Sequence, residues 1–221
     1  MTTLLPHIEL NPHTPANASV IWLHGLGASG DDFAAIVPEL RLPPDSAIRF
    51  IFPQAPARAV TINHGYVMPS WYDILSMTLE REIDEAQFHA SCAAIAAFID
   101  REITRGIDST RIVVAGFSQG GAVAYHTALT YPQPLAGVMA LSTYLATKDS
   151  LQPHPVNTAL PMAIFHGIYD SVVPDTLAVQ ALHVLRGMGF SPLYRSYNME
   201  HEVCLEEIKD IAHWLIQTLA D

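Results

Sequence analysis

Apolar runs recur along the chain at 20–23, 48–52, 111–115, 135–141, 162–165 and 193–197. They are near-continuous rather than alternating, which is the pattern of strands covered on both faces. Between them the spacing of apolar positions lengthens to that of helices, at 33–40, 84–105, 119–130, 175–186 and 202–219. Asp31-Asp32 leads into the first of these, Gly106 is placed to cap the second, and Tyr131-Pro132 ends the third. Strand and helix in alternation predict an α/β protein. Its sheet should be mostly parallel, of about seven strands, with helices on both faces. The segment 58–79 breaks the alternation. It mixes Gly65, Pro69, Trp71 and Tyr72 with Ile62, Val67, Met68, Leu75 and Met77. An irregular apolar insertion of this length is either a binding loop or lid near an active site, or an ordered crossover.

Composition narrows the class. At 221 residues, half of them hydrophobic and 15% charged, the chain reads as a single globular domain spanning 1–221. Its net charge is −11, and no Lys/Arg cluster offers a face to nucleic acid. No run approaches the about 20 apolar residues of a membrane span, so stable membrane insertion is not expected. Residues 1–11 have no basic start followed by a long apolar run, which suggests a cytoplasmic protein. Cys92 and Cys204 make neither a disulfide framework nor a metal pattern.

The chemistry concentrates at Gly116-Phe117-Ser118-Gln119-Gly120-Gly121, after a predicted strand and at the start of a predicted helix. That is the context of a G-x-S-x-G nucleophile elbow, whose turn is too tight for side chains at Gly116 and Gly120. A phosphate-binding loop would need G-x-x-x-x-G-K-[ST], which is absent. A serine hydroxyl needs a base, and in the α/β-hydrolase fold the chain order is Ser, acid, His. His166, His183, His201 and His213 follow Ser118. His183 and His213 lie inside helical patterns and His166 precedes the acid, so His201, on a loop after the last strand, is preferred. Asp170 follows the run 162–165 by a short loop, at a strand's carboxyl end where catalytic groups gather. Asp175 reads as a helix cap, and Asp149 is a weaker alternative. His24-Gly25-Leu26-Gly27 ends the run 20–23. Backbone amides of Leu26 and Gln119 are the expected oxyanion donors. No metal site is expected, because Glu200-His201-Glu202 lacks the H-E-x-x-H spacing.

These stretches resemble the phospholipase/carboxylesterase family, which includes acyl-protein thioesterases, lysophospholipase-type enzymes and small bacterial carboxylesterases. Further matching residues are Phe52-Pro53-Gln54-Ala55-Pro56, Met68-Pro69-Ser70-Trp71-Tyr72-Asp73-Ile74, His166-Gly167, Val172-Val173-Pro174 and Glu200. The resemblance implies a compact α/β-hydrolase fold without a large cap domain, no cofactor, and small-molecule or lipid ester or thioester substrates with apolar acyl chains. It makes Trp71, Tyr144 and Val172 candidates for lining the acyl site. Two departures stand out. Ile168 occupies a place where the family often carries an acid, and Glu202 follows the His where animal thioesterases have a small polar residue. The second points toward the bacterial carboxylesterase branch. Competing readings are a lysophospholipase or acyl-protein thioesterase, and, from another class, a non-catalytic binding module on the same fold. Apolar surface around the insertion would serve a homodimer as well as a substrate.

Overall fold

The computed structural model describes residues 4–43, 45–77 and 81–220. In chain order its main elements are β1 (His7–Leu10), β2 (Ala18–Leu23), α1 (Gly30–Ala34), β3 (Ile48–Pro53), β4 (Ala57–Val60), β5 (Tyr66–Pro69), α2 (Glu85–Thr104), β6 (Ile112–Phe117), α3 (Gln119–Thr130), β7 (Gly137–Leu141), β8 (Met162–Gly167), α4 (Asp175–Gly187), β9 (Leu193–Tyr197) and α5 (Leu205–Thr218). Seven strands form one sheet in the order β1-β3-β2-β6-β7-β8-β9. β1 runs antiparallel to β3, and every other pairing in that sheet is parallel. This is an α/β-hydrolase-type sheet without a large cap.

The continuous apolar runs follow from burial on both faces. In β6, Ile112 and Val114 pack into the layer containing α2, α3 and α4, while Val113 and Ala115 pack into the layer containing α1 and α5. The other central strands divide the same way: Ile21 and Leu23 face one layer, Val20 and Trp22 the other. Helix boundaries follow local chemistry. Asp84 caps α2 by accepting from the Gln87 N–H at 2.9 Å, and Gly106 beyond its end has φ +94°. The expected helix at 33–40 is instead the short α1 followed by a 3₁₀ turn at Val37–Leu40, whose second residue, Pro38, has no N–H to continue an α-helical ladder.

Two strand features were not expected from the sequence. β1 is a four-residue edge strand with His7 and Glu9 alternating against Ile8 and Leu10. β4 and β5 make a separate antiparallel hairpin inside the insertion. The hairpin turns through His64 (φ +56°) and Gly65 (φ +76°). It is tied to the following segment by Asp73, which accepts from the Thr61 N–H at 2.7 Å and the Thr61 hydroxyl at 2.6 Å. The insertion is thus an ordered structure with its own hydrogen bonds over its described part; residues 78 and 79 lie outside the described residues.

In the first turn of α5, Glu207 is completely buried, and neither carboxyl oxygen has a partner among the described residues. Burial pushes its pKa up from 4.5 to about 8, so folding favours the protonated acid. Its contribution to stability is therefore fully present below pH 4.5 and lost as pH rises through about 8. Glu207→Gln should flatten that decline, raising stability by a few kcal/mol at pH 9, on the order its pKa shift implies, while changing little near pH 4. Urea denaturation across this pH range checks it; parallel wild-type and variant curves would sink the assignment.

Candidate active site

Ser118 stands between β6 and α3 with φ +52° and ψ −121°. A non-glycine residue enters that region only where its surroundings force it. Here the Ser118 N–H donates to the Leu141 carbonyl at 2.9 Å. The Ser118 carbonyl accepts from the Gly121 N–H at 3.0 Å and the Thr143 hydroxyl at 2.6 Å. The turn is closed by contacts that only glycine allows. A Cβ on Gly116 would lie 2.4 Å from the Gly120 carbonyl oxygen, and one on Gly120 would lie 2.4 Å from the His24 carbonyl oxygen.

The structure brings the three predicted side chains together. His201 Nε2 lies 2.9 Å from Ser118 Oγ, and His201 Nδ1 lies 2.7 Å from Asp170 Oδ2. A carboxylate can only accept, so Nδ1 carries the proton and the bare Nε2 accepts from the serine hydroxyl. The other oxygen of Asp170 accepts from the N–H groups of Val172 at 2.9 Å and Val173 at 2.7 Å. Burial alone would raise the Asp170 pKa, but the bonds from His201 and Val173 outweigh it and hold the carboxyl below its ordinary value. Asp170 is therefore ionised at neutral pH and matches an imidazolium. His166 is not part of this chain. It is buried behind Asp170, 3.5 Å from Oδ2, and its Nε2 donates to the Val173 carbonyl at 2.7 Å. Burial lowers its pKa, so it is neutral packing beside the acid. Asp175 starts α4 and accepts from the Tyr194 hydroxyl instead.

Leu26 and Gln119 both border the space beside Ser118. Gln119 is the first residue of α3, so its N–H has no carbonyl one turn back. Neither amide has a protein acceptor among the described residues. The loop carrying Leu26 is fixed by His24. Its Nδ1 donates to the Gly25 carbonyl at 2.7 Å, and its Nε2 accepts from the Ala55 N–H at 3.1 Å. Burial lowers the His24 pKa, which keeps the ring neutral and able to do both.

A cavity of about 300 Å³ opens over Ser118, with Leu26, Ile62, Ile74, Met77, Tyr144 and Val172 among its walls. Tyr144 and Val172 therefore border the space beside the Ser118 hydroxyl. Trp71 does not. It is fully buried, its ring packs on His24 with centroids 5.2 Å apart, and its Nε1–H donates to the His24 carbonyl at 2.8 Å. Its polar edge has found a partner inside the protein, so it buttresses the loop that carries Leu26. The side chain of Gln119 has a structural role that motif reading did not reveal. Its Oε1 accepts from the Trp71 N–H at 2.8 Å, and its Nε2 donates to the Tyr72 carbonyl at 2.6 Å and the Ser70 hydroxyl at 3.1 Å. One carboxamide thus ties the elbow to the insertion. Its only sequence signal was a polar residue at a position destined for burial.

The chain matches known proteins over most of its length. Residues 7–219 match the family model described as Phospholipase/Carboxylesterase. The chain is similar to an acyl-protein thioesterase 1 of Neurospora crassa, at 38% identity over 91% of this chain and 87% of that protein. It is also similar to an acyl-protein thioesterase 1 of Cryptococcus neoformans, at 32% identity over 99% of this chain and 100% of that protein. Among solved structures, acyl-protein thioesterase 2 of Zea mays superposes with a TM-score of 0.85 at 26% identity, covering 98% of this chain and 100% of that one.

Gln119→Leu removes three buried hydrogen bonds and leaves the backbone amide in place. It should cost roughly 2 kcal/mol of stability, because the buried Trp71 N–H loses its acceptor while the Tyr72 carbonyl keeps only its bond from the Ser70 hydroxyl at 2.7 Å. A change below about 0.5 kcal/mol in urea denaturation would show that the clamp is not what holds the insertion to the elbow.

Proposed function

Because the chain belongs to the phospholipase/carboxylesterase family, we propose that it is a serine hydrolase cleaving carboxylic esters and thioesters with apolar acyl chains, using Ser118, His201 and Asp170. The observation that carries this reading is the unbroken hydrogen-bond chain from Ser118 Oγ through His201 to Asp170, at 2.9 and 2.7 Å.

His201 Nε2 takes the Ser118 proton as Oγ attacks the acyl carbonyl. Asp170, ionised and held by two backbone amides, keeps the imidazole in the required tautomer and stabilises the imidazolium that forms. The tetrahedral oxyanion is received by the Leu26 and Gln119 N–H groups, with the N-terminus of α3 adding favourable potential. His201 then protonates the departing alcohol or thiol, and a water molecule repeats the sequence to release the acid. The apolar cavity wall suits an aliphatic acyl group. A hydrophobic wall discriminates weakly per methylene, so chain-length tolerance should be broad. The names of the fungal relatives favour thioesters as well as oxygen esters. Among the described residues no helix is long and apolar enough to cross a membrane. Cys92 and Cys204 are unpaired, which supports a reducing, cytoplasmic setting.

A fluorophosphonate probe read by intact mass should add one label to the wild type and none to Ser118→Ala. Asp170→Asn should lower kcat for an aryl ester by about 10³- to 10⁴-fold while leaving the fold intact by circular dichroism. Equal labelling of Ser118→Ala would remove Ser118 from the mechanism.

A further inference from the structure

The cavity over Ser118 is walled mainly by hydrocarbon, and among the described residues lining it Arg81 is the only one with a permanent charge. Arg81 is only 9% exposed. Its Nη2 donates to the Val172 carbonyl, its Nη1 reaches Met77 Sδ at 3.3 Å, and its guanidinium carbon lies 4.8 Å from the centre of the Tyr144 ring. Its Nε–H is buried without an acceptor, and no carboxylate among the described residues forms an ion pair with it. The contrast within this protein is sharp. Arg49, Arg101 and Arg105, on the far edge of the sheet, are each paired with Glu9 and Glu102. A buried cation without a counter-charge is costly, and proteins this acidic have carboxylates to spare. Arg81 also holds a left-handed backbone, φ +29°, where an arginine is strained.

Tyr144 beside it offers a second donor. The Tyr72 and Tyr144 hydroxyls are 2.7 Å apart, and Tyr72 is fully buried. If Tyr144 donated, the Tyr72 proton would have no acceptor among the described residues. Donation from Tyr72 to Tyr144 avoids that penalty and leaves the Tyr144 O–H free to donate to a ligand. On the other side of Arg81 and Tyr144 lies a second cavity, walled by Glu82, Glu85 and Asp149 as well as Lys148. Those carboxylates disfavour an anion there, whereas no carboxylate among the described residues lines the Ser118 cavity.

We propose that Arg81 and Tyr144 form a carboxylate-binding subsite, so that preferred substrates are esters or thioesters whose acyl chain ends in a carboxylate, such as hemiesters of dicarboxylic acids. The proposal rests on the hydrolase reading of Ser118. The hydrocarbon wall between the serine and Arg81 accommodates the methylenes, and the planar guanidinium fork matches the terminal carboxylate.

The test uses aryl hemiesters of dicarboxylic acids of about four to ten carbons, each compared with the same compound methylated at its free carboxyl. Release of the phenol is followed, and the ratio of kcat/KM within each pair is read, so that changes in folding or in general activity cancel. Wild type should favour the free carboxylate by about 10- to 100-fold at the chain length that spans the cavity. Arg81→Met should bring the ratio to one or below, Arg81→Lys should retain part of it, and Tyr144→Phe should reduce it. A wild-type ratio at or below one at every length overturns the proposal, as does an unchanged ratio in Arg81→Met. A preference seen only for carboxyphenyl acetates, with the charge on the leaving group, overturns the acyl-side assignment. Ser118→Ala separates the two claims: turnover surviving in it removes the hydrolase reading, whereas its loss alongside a flat ratio removes only the subsite.

Discussion

The backbone of Ser118, held at φ +52°, is the constraint around which the rest of the site is arranged. Such a conformation costs on the order of 1–3 kcal/mol, and it persists only where neighbours over-determine it. Those neighbours come from three directions. β7 supplies the Leu141 carbonyl, the segment after it supplies Thr143, and α3 supplies the Gly121 amide. The two glycines let β2 and α3 press against the turn at distances no side chain would permit. The strain delivers an outward hydroxyl, and the amide after it has no protein acceptor among the described residues.

Polar groups beneath the site are buried, and most are satisfied by partners that fix a protonation state. His24 is neutral because burial disfavours its cation, and a neutral ring can donate to Gly25 and accept from Ala55 together. Asp170 remains charged because its bonds to His201 and the backbone outweigh burial. His166 stays neutral next to it. One environment thus keeps two histidines neutral beside one ionised carboxylate.

Much of the architecture was legible in the hydrophobic pattern, because strands buried on both faces leave continuous apolar runs and the helices between them leave longer periods. Ser118, Asp170 and His201 stood out because each follows such a run, and in the structure they meet. β1 escaped notice because four residues at an edge, with one face partly solvated, carry little periodic signal. The β4–β5 hairpin escaped because its turn depends on a left-handed His64 and on the distant carboxylate of Asp73, neither of which is a matter of hydropathy. Trp71 illustrates a different limit. A large aromatic in an insertion near the site suggests a substrate wall, but the acceptor that its indole N–H finds, the His24 carbonyl, draws it into the core. Arg81 was equally invisible, since a lone arginine becomes notable only when burial and the missing partner are both seen.

Ser118, Asp170 and His201 belong to the carboxyl ends of β6, β8 and β9, and β7 lies between the first and the second. The distance between nucleophile and acid is therefore set by the width of an intervening strand that contributes no reacting group. A chain in which β7 failed to intercalate, or in which β9 had not yet added to the edge, would hold all three residues and no relay. Ester turnover consequently requires β6, β7, β8 and β9 to be docked side by side, and it is blind to the state of β1 and β3 at the opposite edge, which carry no triad residue.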